Sequence, residues 1–243
     1  EFKDEEKVRA MYPAGMDDLE GSALYRTLPG QPTDDSEMAL ALARTLAEEG
    51  TFNAERIFAA YKSWLGSHPV DFAHSVFRAL HGKPDARSEA NCALMRVSPL
   101  GVFGARFIPE MSLPCDDGGE PDMAVLTEDA GMRTLARWAM EEAALTCPHP
   151  LCRAANVAYV TALAYGVRSG SPKGMHRAAL TATAALSRWN DDMPQAELSR
   201  VLDCLERAAV ERPAEYQNDM SHVLTTLQNG FWQLLHASDA GQG

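Results

Sequence analysis

The stretch Gln31-Pro32-Thr33-Asp34-Asp35-Ser36-Glu37 sets a hydroxyl, two carboxylates, a second hydroxyl and a third carboxylate side by side, directly ahead of the apolar run MALALARTLAEEG. Two chemistries use such a cluster. One is helix capping. Asp34 as N-cap with Glu37 three residues on makes an acidic capping box, and negative charge suits the positive end of a helix dipole. The other is metal ligation. One cap needs one side chain, and Thr33, Asp34 and Asp35 in a row supply more charge than that. Clustered hard oxygens are what Mg²⁺ takes, with waters and substrate oxygens completing its octahedron. The five cysteines (Cys92, Cys115, Cys147, Cys152 and Cys204) offer less. They form no CxxC pair and no zinc spacing, and the Cys147-to-Cys152 interval lacks further ligands. Reduced thiols in a cytoplasmic protein are the expectation.

The elements that must position these groups read as helices. Residues from about Glu37 to Glu49 form one. Ala54, Ile57, Phe58, Tyr61 and Leu65 recur at three and four and predict a second, and Phe72, Val76, Phe77 and Leu80 a third. The run from Leu94 to Phe107 is apolar but interrupted by Pro99 and Gly101. EMSLPCDDGGEPD reads as a loop from its Pro, Gly and Asp content. Helical patterns resume at about Glu128 to Leu145, Leu151 to Ser169, Lys173 to Leu186, Gln195 to Val210 and Asp219 to Ala237. No segment alternates cleanly enough for a strand, and no linker or fixed-period repeat interrupts the chain. The expected architecture is one compact all-α domain over residues 1–243.

Bulk composition narrows the partners. A formal net charge of -12 argues against a protein built to coat nucleic acid or an anionic membrane. No apolar run approaches the roughly 20 residues of a membrane span. The opening residues EFKDEEKVRAMYP are charged and unlike a signal peptide. A small anionic ligand stays compatible, because a bound cation or a helix N-terminus reverses the field locally.

Four stretches then act together: GQPTDDSEMALALARTL (30–46), EANCALMRVSPLG (89–101), TCPHPLCRAANVAYVTALAYG (146–166) and HVLTTLQNGFWQLLHA (222–237). In order and interval they resemble the ADP-ribosylglycohydrolase family, the dinitrogenase-reductase-activating glycohydrolases and ADP-ribosyl-acceptor hydrolases. The resemblance implies a helical domain with two Mg²⁺ ions (Mn²⁺ as a substitute) at the base of a cleft. It implies cleavage of the bond between the anomeric ribose carbon of ADP-ribose and a protein side chain, arginine foremost. The partner is then ADP-ribose or an ADP-ribosylated protein, met by a monomer. The alternative is a catalytically impaired relative that binds ADP-ribose or a partner protein.

Carried over residue by residue, the resemblance makes Thr33, Asp34 and Asp35 metal ligands, with Asp34 and Asp35 also catalytic. Glu1, followed by Phe2, matches the end of the family's first glycine-rich motif, whose Glu serves the reaction; a frayed terminus is the alternative. Asn91, Met95, Arg96 and Pro99 match a stretch whose backbone approaches the phosphates, with Cys92 where glycine is usual. Arg96 reads equally as a phosphate partner or a buried structural ion pair. Cys147 stands where the family has a ribose-side His, and His149 lies two residues on. The family's closing GGDxDT motif has no match, and CDDGGEPD (115–122) reads as a surface loop. The expectation for these residues alone is weak metal binding and slow or absent turnover.

Overall fold

The structure is a computed structural model that describes residues 5–13, 15, 21, 26–114, 122–214 and 219–237. Apolar spacing dictates its helices. In α2 (Asp34–Glu49), Met38, Leu42, Thr45 and Leu46 recur at three and four and are buried, while the opposite face carries the charge. Gly50 ends α2 in the left-handed region at φ 64°, and its N–H donates to the Leu46 carbonyl at 3.0 Å. Helix α3 (Ala54–Gly66) starts at Asn53, whose side chain accepts from the Arg56 N–H. Helix α4 (His74–Leu80) is short, and α5 (Ser98–Gly104) leads through 3₁₀ turns at Ala105–Phe107 and Glu110–Ser112.

A short α6 (Val125–Glu128) precedes α7 (Ala130–Ala144), which is capped by Asp129 accepting from the Met132 N–H. Helix α8 (Pro150–Ser169) is the axis of the fold. Ala154, Ala155, Ala158, Ala162 and Ala164 along it are buried, so its neighbours pack close to its backbone. Helices α5, α7, α9 (Pro172–Trp189), α10 (Gln195–Ala208) and α11 (Val223–His236) all pack on it. At Gly101 the approach of α5 is so tight that an added Cβ would lie 2.6 Å from the Leu163 Cβ. Glycine at that position is what lets α5 reach α8. The all-α expectation therefore holds, with an isolated Ala90–His222 bridge as the extended pairing found among the described residues.

Among the differences from the sequence reading, four have a plain physical reason. Helix α2 begins at Asp34 with Thr33 as N-cap, so Asp34 is the first helical residue rather than the cap. Pro99 does not interrupt a helix but opens α5, where a missing N–H costs nothing. The last helix starts at Val223, after His222 supplies the cap. The segment Glu5–Met11 forms α1, which its sparse apolar pattern does not announce. No helix of the described residues is long and apolar enough to cross a membrane.

Candidate functional site

Construction of the site starts at the N-terminus of α2. Thr33 is extended there, at φ -112° and ψ -166°, and its side chain makes no capping hydrogen bond. Asp34 and Asp35 follow in the first turn, with Asp34 buried at 8% exposure. The capping-box partner assigned from sequence is engaged elsewhere, because Glu37 Oε2 accepts from Trp64 Nε1–H at 2.7 Å. Asp34 instead reaches out of its own helix. Its Oδ2 accepts from the Ala73 N–H at 3.2 Å, and Ala73 is the N-cap residue of α4. One carboxylate thus joins the N-terminal ends of α2 and α4.

Helix α4 passes the contact onward. Ser75 Oγ lies 3.0 Å from Cys92 Sγ, and Cys92 Sγ lies 2.7 Å from Cys147 Sγ. Both sulfurs are buried, Cys92 at 1% and Cys147 at 0% exposure. The Cys92 thiol is held down to about 7, first by its hydrogen bond with Cys147, with Ser75 and the Arg96 guanidinium adding to this against the cost of burial. Cys147 is pushed up by the same shared bond and by burial. Cys92 and Cys147 therefore touch each other, one contact away from α4.

Arg96 is wholly buried, and its neighbours account for it. Its Nε donates to Glu142 Oε1 at 2.7 Å, and Nη1 donates to the Cys92 carbonyl at 3.0 Å and to Thr146 Oγ1 at 2.7 Å. Its Nη2 donates to the Glu142 carbonyl at 3.3 Å, and the guanidinium stacks over Tyr61, 4.7 Å from the ring centroid. The Tyr61 hydroxyl donates to Glu142 Oε1 at 2.7 Å, and burial pushes its pKa well up. Of the two roles the sequence left open for Arg96, the structure shows the buried ion pair. Asn91 donates through Nδ2 to Thr226 Oγ1 at 2.9 Å, which ties its turn to α11. Met95 lines an apolar cavity of about 320 Å³ with Leu94, Tyr159, Met175, Phe231 and Leu234.

His149 is the N-cap residue of α8. Its Nδ1 accepts from the Leu151 N–H at 3.2 Å, and its Nε2 faces Glu89 Oε1 at 3.7 Å. Glu89 is the centre of a second polar group that the sequence did not reveal. Arg200 grips it with two bonds of 2.8 and 2.7 Å and also donates to Glu197 at 2.9 Å. His222 caps α11 by accepting at Nδ1 from the Leu224 N–H, which leaves its Nε2–H to donate to Glu89 Oε2 at 2.7 Å. Glu89, His149 and Glu197 have ligand atoms within 4.8 Å of one another, but Arg200 already supplies the cation there. Glu1, Cys115, Asp116 and Asp117 lie outside the described residues.

The Glu89 group carries a pH signature. Arg200 first, then His222, hold the Glu89 carboxyl down to about 2 against the cost of partial burial. A depressed carboxylate stabilises the fold above its unfolded pKa of about 4.3, and that contribution is lost as pH falls toward 2. After discounting for solvent screening it is about 2 kcal/mol. Glu89→Gln is therefore expected to melt lower than the parent at pH 7, with the gap narrowing below pH 4 and closing near pH 2. Thermal melts across that range check it, and a constant gap would exclude ionic pairing as the source.

Known proteins resemble this chain in sequence and in fold. The family model described as ADP-ribosylglycohydrolase matches residues 1–242. The ADP-ribosyl-(dinitrogen reductase) glycohydrolase of Rhodospirillum rubrum is 30% identical over 146 residues, 56% of this chain and 42% of that protein. A solved structure titled ADP-ribosylglycohydrolase-related protein complex superposes with a TM-score of 0.61 at 19% identity, covering 93% of this chain and 66% of that one. The chain therefore takes in less than two thirds of either relative's length, and the structural likeness speaks for the fold. With the family pattern matched from the first residue to the penultimate one, on the helical fold such a relative shares, the chain belongs to the ADP-ribosylglycohydrolase family.

Proposed function

We propose that this chain releases ADP-ribose from a modified protein side chain, with arginine as the acceptor, in a Mg²⁺-dependent reaction. The observation that carries the proposal is the start of α2, where the Thr33 hydroxyl is not spent on capping and two carboxylates follow it in the first turn. These are hard oxygen donors on one helix end, a set that suits Mg²⁺ and equally Mn²⁺. Thr33, Asp34 and Asp35 would hold the ion, which when bound would orient the ribose diol and activate water. The chain's own part is electrostatic and positional. Asp34 and Asp35 place negative charge where a ribose ring turns cationic during glycosidic cleavage. The Ala73 N–H bonded to Asp34 Oδ2 fixes the orientation of that carboxylate.

A specific observation favours a second reading, a binder of ADP-ribose or of a partner protein with impaired catalysis. Cys147 stands at the family's His position and is buried, so it offers no imidazole to a ribose, and Cys92 adds a side chain where the family's glycine lets the backbone come close. One assay separates the two readings. The chain is incubated with a protein ADP-ribosylated on arginine, and with one modified on serine, with Mg²⁺ or with EDTA, and free ADP-ribose is quantified by chromatography. Release from the arginine-linked substrate that EDTA abolishes is expected. Tight ADP-ribose binding without release would replace the first reading by the second.

A further inference from the structure

Two buried thiols from distant parts of the chain meet at a point that one cation clamps. Cys92 lies in the turns before α5 and Cys147 in the connection between α7 and α8, 55 residues apart, with their sulfurs at 2.7 Å. Arg96 donates through a single nitrogen to the Cys92 carbonyl and to the hydroxyl of Thr146, the neighbour of Cys147. Its guanidinium is itself anchored by Glu142 and Tyr61. The backbones bearing the two cysteines are thus held in register before any bond forms. A sulfur–sulfur bond of roughly 2.05 Å lies less than an ångström away. We propose that Cys92 and Cys147 form a reversible disulfide, closed by an oxidant of the peroxide class and reopened by a dithiol.

The reaction balances as two thiols and one hydroperoxide giving a disulfide, water and the reduced alcohol, or two waters for hydrogen peroxide itself. The Cys92 thiolate attacks the peroxide oxygen, the O–O bond breaks, and Cys92 becomes a sulfenic acid. The Cys147 sulfur then attacks the Cys92 sulfur, the S–O bond breaks, and hydroxide leaves with the Cys147 proton as water. Two electrons pass from the sulfur pair to the peroxide. Cys92 is the attacking partner because its thiol is the one held down, first by the hydrogen bond with Cys147 and further by Ser75 and the Arg96 cation. Ser75 Oγ, on α4, lies 3.0 Å from Cys92 Sγ. The other two described thiols differ: Cys152 and Cys204 are pushed up to about 12, with burial as the largest cause, and bond to backbone carbonyls.

The test uses the full chain and hydrogen peroxide. After incubation the protein is quenched in acid, unfolded with an alkylating reagent and mapped by mass spectrometry. The expected result is two fewer alkylated cysteines, a mass lower by two hydrogens before alkylation, and a linked peptide pair containing Cys92 and Cys147. Dithiothreitol should restore both labels, and the oxidised chain should melt several degrees higher than the reduced one. Cys92→Ser and Cys147→Ser should each abolish the linked pair. Full alkylation after oxidation would overturn the proposal, as would a link from either cysteine to Cys115, Cys152 or Cys204, or stepwise oxygen addition at Cys92 without a link. The parent chain alone supplies this readout, so it stands even if a serine variant folds poorly.

Discussion

Replacing Asp34 by alanine should lower Mg²⁺-dependent affinity for ADP-ribose by roughly 100-fold, about 2.8 kcal/mol. The argument rests on where the residue sits. Asp34 is buried and bonded to the Ala73 N–H that begins α4. Alanine removes both a ligand oxygen and that bond, so a second variant must separate them. Asp34→Asn keeps an oxygen able to accept from Ala73 while removing the charge. If Asp34 serves a cation, asparagine should fail nearly as badly as alanine, and the loss should vanish when both proteins are measured in EDTA. If Asp34 serves only to join α2 to α4, asparagine should bind like the parent. Calorimetric titration of each variant with ADP-ribose, with and without Mg²⁺, reads the difference.

The largest stability effect should come from Glu142→Gln. Glu142 is fully buried and receives bonds from Arg96, Tyr61 and, at 3.5 Å, Asn156. Neutralising it leaves the Arg96 cation in the interior without a counter-charge, and breaking such a pair typically costs 3–5 kcal/mol. For a domain of this size that corresponds to a melting point lower by roughly 10 °C. Removing both charges, as in Arg96→Met with Glu142→Gln, should cost far less than the sum of the single variants, because no lone charge remains buried. A melting-temperature cycle over the four proteins checks this. A Glu142→Gln deficit below about 1 kcal/mol would mean that water or another group reaches Arg96.

That pair shows what a sequence can and cannot disclose. Arg96 stood out as a cation in an apolar stretch, but its partner did not. Glu141 and Glu142 are adjacent on α7, and only the helix phase decides which faces inward; the structure turns Glu142 to the core and leaves Glu141 outside. The Glu89 group was hidden for a related reason. Its members come from residues 89, 149, 197, 200 and 222, and the Glu197–Arg200 pair alone has a local spacing that could have drawn notice. Helices α3, α8 and α9 were legible because their apolar residues recur at three and four over many turns. The start of α2 was read three residues late because its first turn, Asp34-Asp35-Ser36, holds no apolar residue to count. Of the acidic cluster, the residue types and their place at a helix end were readable. The reach of Asp34 into α4 was not, since nothing in the chain between residues 34 and 73 encodes that meeting.

That reach makes the Ala73 amide proton a natural reporter. It is the hydrogen of a backbone group, so it survives most substitutions, and it is bonded to the very oxygen whose electron density changes when Asp34 takes up a proton or a cation. Its chemical shift should move with either event, and its exchange with solvent should quicken if the carboxylate turns away. A single resonance could then follow what happens at residue 34 in the unmodified protein, with no label placed in the site and no substrate turned over.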